Sequence, residues 1–147
     1  MSPAGIEIDD DPARVDVDVL HPALAASYWS PGVPRHVVEA AIAGSDCFGA
    51  YDGSRDPACM VGFARLVTDR ATFGWLADVI VLPGARGRGI GTALVRAVTE
   101  RASAYGLRRL MLATRDAHEL YRPHGFADPV PGVLMERVED PARLYGS

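Results

Sequence analysis

The stretch from residue 76 to 105 constrains the fold of this 147-residue chain more than any other. Val79–Leu82 is an unbroken apolar run rich in β-branched residues, which predicts a strand buried on both faces. Pro83 ends that strand, because proline cannot donate a hydrogen bond to a ladder. Apolar residues then recur at helical spacing, which predicts a helix over Ile90–Tyr105. A turn of arginines and glycines, residues 86–91, separates the strand from the helix.

The turn places glycine at every second position, at Gly87, Gly89 and Gly91. Without Cβ atoms, its backbone can approach a ligand closely and point N–H groups at it. The start of the following helix adds a partial positive charge, and Arg86 and Arg88 add two full charges. This combination predicts a site for a phosphate or pyrophosphate. The alternative is a plain surface turn before an amphipathic helix.

Spacing excludes two common phosphate-binding loops. The dinucleotide fingerprint needs glycine or alanine at its sixth position, but that position is Thr92 when counted from Gly87 and Leu94 when counted from Gly89. The P-loop needs the run Gly-Lys-Ser/Thr, which the sequence lacks.

The pattern Arg/Gln-x-x-Gly-x-Gly/Ala does fit, at Arg86, Gly89 and Gly91. It resembles the acetyl-coenzyme A loop of the GCN5-related N-acetyltransferases (GNAT). A second block, Ala117–Phe126, is similar to that family's Ala-x-x-Leu-Tyr-x-x-x-Gly-Phe segment. Two blocks in the family's order are more specific than either alone, and with the strands around them they span Cys47–Val138.

The resemblance implies an α+β fold of one domain over residues 1–147. Its GNAT-type sheet would be mixed and mostly antiparallel, with six to seven strands, splayed at the central parallel pair and flanked by about four helices. Alternation at residues 15–19 also permits a strand where we predict the first helix, and the tail from Glu139 is expected to be loose. The sequence pattern predicts strands at Gly5–Asp9, Cys47–Tyr51, Met60–Val67, Ala71–Leu82, Arg108–Ala113 and Val133–Val138, and helices from Asp16 or Asp18, over Pro34–Ala43, Ile90–Tyr105 and Asp116–Arg122.

Composition narrows the range of partners. Apolar residues make up 48% and charged residues 23%, as in globular proteins. The net charge of −4 argues against a general nucleic-acid binder. We expect a cytoplasmic protein without a membrane partner, because no apolar run is long enough to span a bilayer and no signal-like segment begins the chain. Cys47 and Cys59 are expected to be buried thiols, and the histidines lack metal-ligand spacing, so no metal is expected.

Acetyl-coenzyme A is the co-substrate that the resemblance implies. An exposed strand edge can pair with the pantetheine amides as another strand would. The backbone N–H of Val81 would hold the thioester carbonyl and stabilise the oxyanion during attack. The residues expected to bind the cofactor are Val79, Ile80, Val81, Arg86, Gly87, Arg88, Gly89, Ile90, Gly91 and Thr92.

Two residues are candidates for proton transfer. Tyr121 matches the family tyrosine that acts as general acid; the alternative is a tyrosine of the core. Asp78 is a carboxylate inside an apolar strand and the best candidate for the general base; the alternative is a structural ion pair with Arg65 or Arg115. The sequence has no nucleophile motif, which favours direct transfer over an acyl-enzyme.

Tyr28 and Trp29 are the candidates for binding the acceptor, or else core or lid residues at the sheet edge. We expect a small-molecule primary amine as acceptor, because these bulky side chains suggest an enclosed pocket. A protein amino group as acceptor, and a non-catalytic module that senses acyl-coenzyme A, are the alternatives. The sequence leaves monomer and homodimer open.

Overall fold

The computed structural model describes residues 2–146, and its centre is one five-stranded sheet. The strands lie in chain order, with antiparallel pairing between the first four and parallel pairing between the last two. The mixed, mostly antiparallel architecture expected from the sequence is therefore confirmed. The strands are β1 (Ile6–Asp9), β2 (Asp46–Asp52), β3 (Cys59–Thr68), β4 (Phe73–Val81) and β5 (Arg109–Met111).

Helices cover both faces of the sheet. Where the sequence permitted a strand or a helix, the chain forms a helix, because the side chain of Asp16 accepts a hydrogen bond from the N–H of Val19 (3.3 Å) and caps the first turn. Within residues 2–146, no helix has the length and apolar character needed to cross a membrane. The helices are α1 (Val17–Ala25), α2 (Arg35–Ala43), α3 (Ile90–Tyr105), α4 (His118–Tyr121) and α5 (Pro141–Tyr145).

Two apolar clusters lie on opposite faces of the sheet. The first packs α3 against β2, β3 and β4, through Leu94, Val95 and Val98 of the helix. The second packs α1 and α2 against Phe63 and its neighbours on the other face. Burial of one stripe of α3 fixes the position of its N-terminus, at the end of β4.

The parallel pair separates after three residues of pairing. Phe73–Trp75 of β4 pair with Arg109–Met111 of β5, and beyond Trp75 the described chain supplies no further partner on that side of β4. This confirms the expected splay. It also explains why β5 ends at Met111 rather than at Ala113, since a strand that leaves its neighbour loses its ladder.

The strand predicted at Val133–Val138 is wrong. The segment pairs with no strand of the described chain, so the sheet has five strands rather than six to seven. Its apolar alternation resembles a strand, but a strand also needs an edge to pair with. The tail after Glu139 is not loose throughout either, because α5 forms there and Tyr145 packs against the second cluster.

The cysteines are free thiols on neighbouring strands, β2 and β3. Cys47 is buried as expected, whereas Cys59 is only half buried because it begins its strand next to an exposed turn.

Tyr51 provides a test of the second cluster. Its hydroxyl is buried and has no hydrogen-bond partner within residues 2–146. Tyr51→Phe should therefore raise the free energy of unfolding by about 1 kcal/mol, measured by urea denaturation. The matched variant Tyr105→Phe should lower it, because that hydroxyl donates a hydrogen bond to Asp46. Equal destabilisation by both variants would contradict this account.

The same tyrosine predicts a pH dependence. Burial raises the pKa of Tyr51 to about 12, whereas an unfolded tyrosine ionises near pH 10. The folded state thus keeps a proton that the unfolded state loses, and stability should fall as the pH rises through this interval. Tyr51→Phe should lose less stability than the wild type over the same interval, measured by urea midpoints.

Candidate active site

A cavity of about 1020 Å³ opens where β4 and β5 separate. One wall is β4 from Trp75 to Val81, and the opposite wall is the segment from Ala113 to Ala117 together with α4. The loop between α1 and α2 closes one side. The cavity brings together nine of the residues predicted from the sequence: Tyr28, Trp29, Asp78, Val79, Ile80, Val81, Arg86, Gly91 and Tyr121.

A β-bulge interrupts β4 at the middle of the cavity wall. Phe63 pairs with Ile80 and Arg65 pairs with Ala77, so two residues of β4 lie opposite one residue of β3. Asp78 is one of those two and has φ +54°, in the left-handed region. Aspartate tolerates this conformation better than most residues other than glycine. The bulge therefore sets the direction in which this carboxylate points.

Both carboxylate oxygens of Asp78 accept hydrogen bonds. Trp29 Nε1 donates to Oδ1 and Arg65 Nε donates to Oδ2, each at 2.9 Å. The side chain of Asp78 is only 9% exposed, so its ion pair with Arg65 is largely shielded from water. The structural ion pair considered from the sequence is thus present, with Arg65 rather than Arg115. It orients a carboxylate that still lines the cavity.

The aromatic loop, residues 27–30, links the two walls. Trp29 binds β4 through Asp78, and the hydroxyl of Tyr28 accepts a hydrogen bond from the N–H of Arg115 (2.9 Å) on the opposite wall. The guanidinium of Arg115 lies 3.9 Å from the centre of the Tyr28 ring. Tyr28 and Trp29 also pack edge to face at 5.0 Å. These contacts hold the loop across the cavity while leaving 42% of each aromatic residue exposed.

Trp75 also lines the cavity and was missed by the sequence analysis. Trp75 is 38% exposed, and alternation along β4 places it on the same face as Phe73, next to its cross-strand partner Val67. The available signal in the sequence was a tryptophan on the strand that leads to the glycine-rich turn. The cavity lining thus has four aromatic residues, Tyr28, Trp29, Trp75 and Tyr121, from three segments far apart in sequence.

The glycine-rich turn takes the conformations that its composition allows. Gly87 and Gly89 have φ +80° and +79°, where side chains are strained. No side chain caps the N-terminus of α3, so the first N–H groups of the helix are available to a ligand. The first helical residue, Ile90, is buried in the core and helps to fix that end of α3.

The two arginines of the turn differ. Arg86 lines the cavity, and its Nε donates a hydrogen bond to the carbonyl of Val81 at 3.1 Å. Arg88 points to the other side and forms an ion pair with Asp52 at 3.3 Å. Gly87, Arg88, Gly89, Ile90 and Thr92 are the predicted cofactor residues that do not line the cavity.

Tyr121 lies at the end of α4, against the first cluster. Its ring packs edge to face with Phe126 at 5.8 Å and is 8% exposed. Burial raises the pKa of Tyr121 to about 12, with a smaller contribution from nearby Tyr28. The phenol therefore keeps its proton at physiological pH. Its neighbour His118 is exposed and does not line the cavity.

Comparison with known proteins gives one consistent result. The family model described as acetyltransferase (GNAT) family matches residues 19–126. A curated protein of Gibberella zeae, described as a candidate acetyltransferase, is 30% identical over 94% of this chain and 91% of its own length.

Solved structures agree with the family match. The crystal structure of a candidate GNAT acetyltransferase from Xanthomonas campestris has a TM-score of 0.87 and 40% identity, with both chains fully covered. A GNAT family acetyltransferase from Streptococcus pneumoniae has a TM-score of 0.62 and 27% identity, covering 90% of this chain and 98% of its own.

Proposed function

We propose, from the premise that this chain belongs to the GNAT acetyltransferase family, that it transfers an acetyl group from acetyl-coenzyme A directly to a small primary amine. The observation that carries the proposal is the cavity between β4 and β5, which joins an unpaired strand edge, the two ends of the glycine-rich turn (Arg86 and Gly91) and Tyr121 in one space. A donor and an acceptor could meet there without a covalent enzyme intermediate.

The residues of the turn and of β4 fit the donor. Val79–Val81 have no strand partner on the cavity side, so their backbone groups can pair with the amides of the pantetheine arm. The uncapped start of α3 and the positive-φ glycines suit a pyrophosphate. Arg86 would add its charge from the cavity wall, whereas Arg88 would have to leave Asp52 to do the same.

The acceptor end of the cavity supports a small amine. Tyr28, Trp29 and Trp75 offer aromatic faces, which attract an ammonium group and an attached apolar body. The carboxylates of Asp78 and Asp116 line the same space, where Asp78 is paired with Arg65. The aromatic loop spans the cavity from one wall to the other, which favours a small molecule over a protein chain.

The proposed chemistry assigns one proton transfer to the nitrogen that attacks and another to the sulfur that leaves. Asp78 accepts a proton from the ammonium group, so that its nitrogen can attack the acetyl carbonyl carbon. The N–H of Val81 stabilises the negative charge on the carbonyl oxygen. The carbon–sulfur bond then breaks, and Tyr121 donates its proton to the departing sulfur. The nitrogen loses its second proton to solvent, Tyr121 takes a proton back from solvent, and Asp78 releases the proton that it accepted. The products are an acetylated amine and free coenzyme A.

The half-exposed thiol of Cys59 and the buried thiol of Cys47 are unpaired. We further propose a cytoplasmic location, where free thiols are kept reduced.

Release of free thiol from acetyl-coenzyme A, measured across a panel of primary amines, tests this function. Compact amines with an aromatic or apolar body should give the highest kcat/KM. Thiol release that no amine accelerates over the acetyl-coenzyme A blank would contradict the proposal.

Gly89→Asp tests the donor site separately by calorimetry. A carboxylate at the uncapped helix start should repel the pyrophosphate and raise the Kd for acetyl-coenzyme A by about tenfold or more. Gly106→Asp is the matched control, because it places the same charge at a similar φ (+73°) at the other end of α3. Equal affinities in the two folded variants would remove the turn from the donor site.

A further inference from the structure

Arg115 is an arginine of the cavity whose guanidinium is not paired with any carboxylate of the described chain. Two other arginines line the cavity, and both are engaged. Arg65 forms its ion pair with Asp78. Arg86 donates to the carbonyl of Val81, next to the glycine-rich turn that we assign to the acetyl donor. Arg115 is therefore the cavity cation that remains for the acceptor.

The guanidinium of Arg115 is held against an aromatic ring. It lies 3.9 Å from the centre of the Tyr28 ring, and the backbone N–H of Arg115 donates to the hydroxyl of that tyrosine at 2.9 Å. The residue is exposed, so its guanidinium N–H groups can reach a molecule in the cavity. A planar guanidinium that is already stacked loses little side-chain freedom on binding, and its N–H groups match the two oxygens of a carboxylate.

The acceptor end of the cavity has a different charged group on each side of an aromatic pair. The rings of Tyr28 and Trp29 pack edge to face at 5.0 Å. Trp29 donates to the carboxylate of Asp78, whereas Tyr28 lies under the guanidinium of Arg115. Asp116, the next residue in sequence, also lines the cavity but forms no ion pair with Arg115 in the described chain. An acceptor that carried only an ammonium group would meet a cation with nothing to balance it.

We propose that the acceptor is an amino acid, a primary amine that carries a free carboxylate, and that Arg115 selects for it. This inference rests on the proposed function and narrows its acceptor. The ammonium group faces Asp78, and the carboxylate pairs with the guanidinium of Arg115. The side chain of the acceptor lies against the aromatic faces of Trp29 and Trp75. One arginine balances the single charge of a carboxylate, whereas a phosphate monoester carries nearly two charges.

Steady-state kinetics with matched acceptors tests this selection. Phenylalanine, leucine and alanine are each compared with their own amide, which keeps the amine and the side chain but lacks the carboxylate. Arg115→Gln should lower the ratio of the KM for the amide to the KM for the amino acid by about tenfold or more. The change should come from a higher KM for the amino acid, with kcat nearly unchanged. Because each enzyme is measured on both members of a pair, the different basicity of their amino groups cancels.

Two further variants separate the carboxylate contact from a general effect of charge. Arg115→Lys keeps the charge but loses the planar fork, so it should keep part of the ratio. Arg108→Gln removes the same charge from an exposed arginine that does not line the cavity, and it should keep the whole ratio. A ratio that Arg115→Gln leaves unchanged, or that Arg108→Gln lowers equally, would overturn the proposal.

Calorimetry separates this inference from the proposed reaction. The same amino acids and amides are titrated into the enzyme saturated with coenzyme A. If no amine accelerates thiol release, yet Arg115→Gln raises the Kd of an amino acid by about tenfold or more, the reaction is wrong and the carboxylate site stands. If amines are acetylated while the wild type and Arg115→Gln bind the amino acids equally, the reaction stands and the carboxylate site is wrong. A wild type that binds none of the three amino acids would also overturn the inference.

Discussion

Asp78→Asn should lower kcat/KM for the amine by about a hundredfold to ten-thousandfold, the usual contribution of a general base. Asparagine tolerates the left-handed conformation at this bulge and can still accept the hydrogen bond from Trp29. The variant therefore removes the charge with little change in backbone, and steady-state kinetics at several amine concentrations measures the effect.

A pH series separates base catalysis from structural support. The deficit of Asp78→Asn should shrink as the pH approaches about 10, where a free primary amine has lost its own proton and needs no base. Asp116→Asn is the matched control, since Asp116 is an exposed carboxylate of the same cavity; any fall in its kcat/KM should reflect a higher KM for the amine and should not shrink as the pH rises toward 10. A deficit of constant size at all pH values would assign Asp78 to holding Arg65 and Trp29 instead.

Tyr121→Phe should lower turnover by about tenfold to a thousandfold while the affinity for acetyl-coenzyme A stays nearly unchanged. The ring and its packing against Phe126 remain, and only the proton that would go to sulfur is lost. Because burial raises the pKa of this phenol to about 12, Tyr121 should remain protonated up to pH 10. The wild type and Tyr121→Phe can therefore be compared over that whole pH range.

Tyr28→Phe is the control for Tyr121→Phe, because it removes another hydroxyl from the same cavity. That hydroxyl accepts a hydrogen bond from the backbone of Arg115 and holds the aromatic loop, so its loss should raise KM more than it lowers kcat. Full turnover in Tyr121→Phe, where chemistry limits the rate, would make Tyr121 a core residue and leave sulfur to take its proton from water.

The parts of the site that depend on local sequence could be predicted. The spacing of Gly87, Gly89 and Gly91 and the apolar period of α3 are both local, and the structure places the turn and the helix where the sequence indicated. The separation of β4 from β5 was predicted from the resemblance to the family. The spacing of residues alone does not specify which strands pair or where they separate. Tyr121 was found in the same way, as part of a motif.

The parts that depend on distant partners could not be predicted. Trp29 and Asp78 are 49 residues apart in sequence and meet only because α1, α2 and β4 pack together. The positive φ of Asp78 has no signature, since aspartate also occurs in ordinary strands. The segment 133–138 has the pattern of a strand, yet pairing depends on an edge elsewhere, and no strand of the described chain pairs with it.

The extra residue in β4 has a consequence for inheritance. Before the bulge, the even-numbered Leu76 packs into the first cluster; after it, the odd-numbered Val79 and Val81 do so, and the even-numbered Ile80 packs into the second. Losing the codon for Asp78 would remove the bulge and restore simple alternation, with Leu76, Val79 and Val81 still facing the first cluster, but the strand would lose its cavity carboxylate. Descendants of this gene can therefore make β4 regular only by giving up the carboxylate that the extra residue carries.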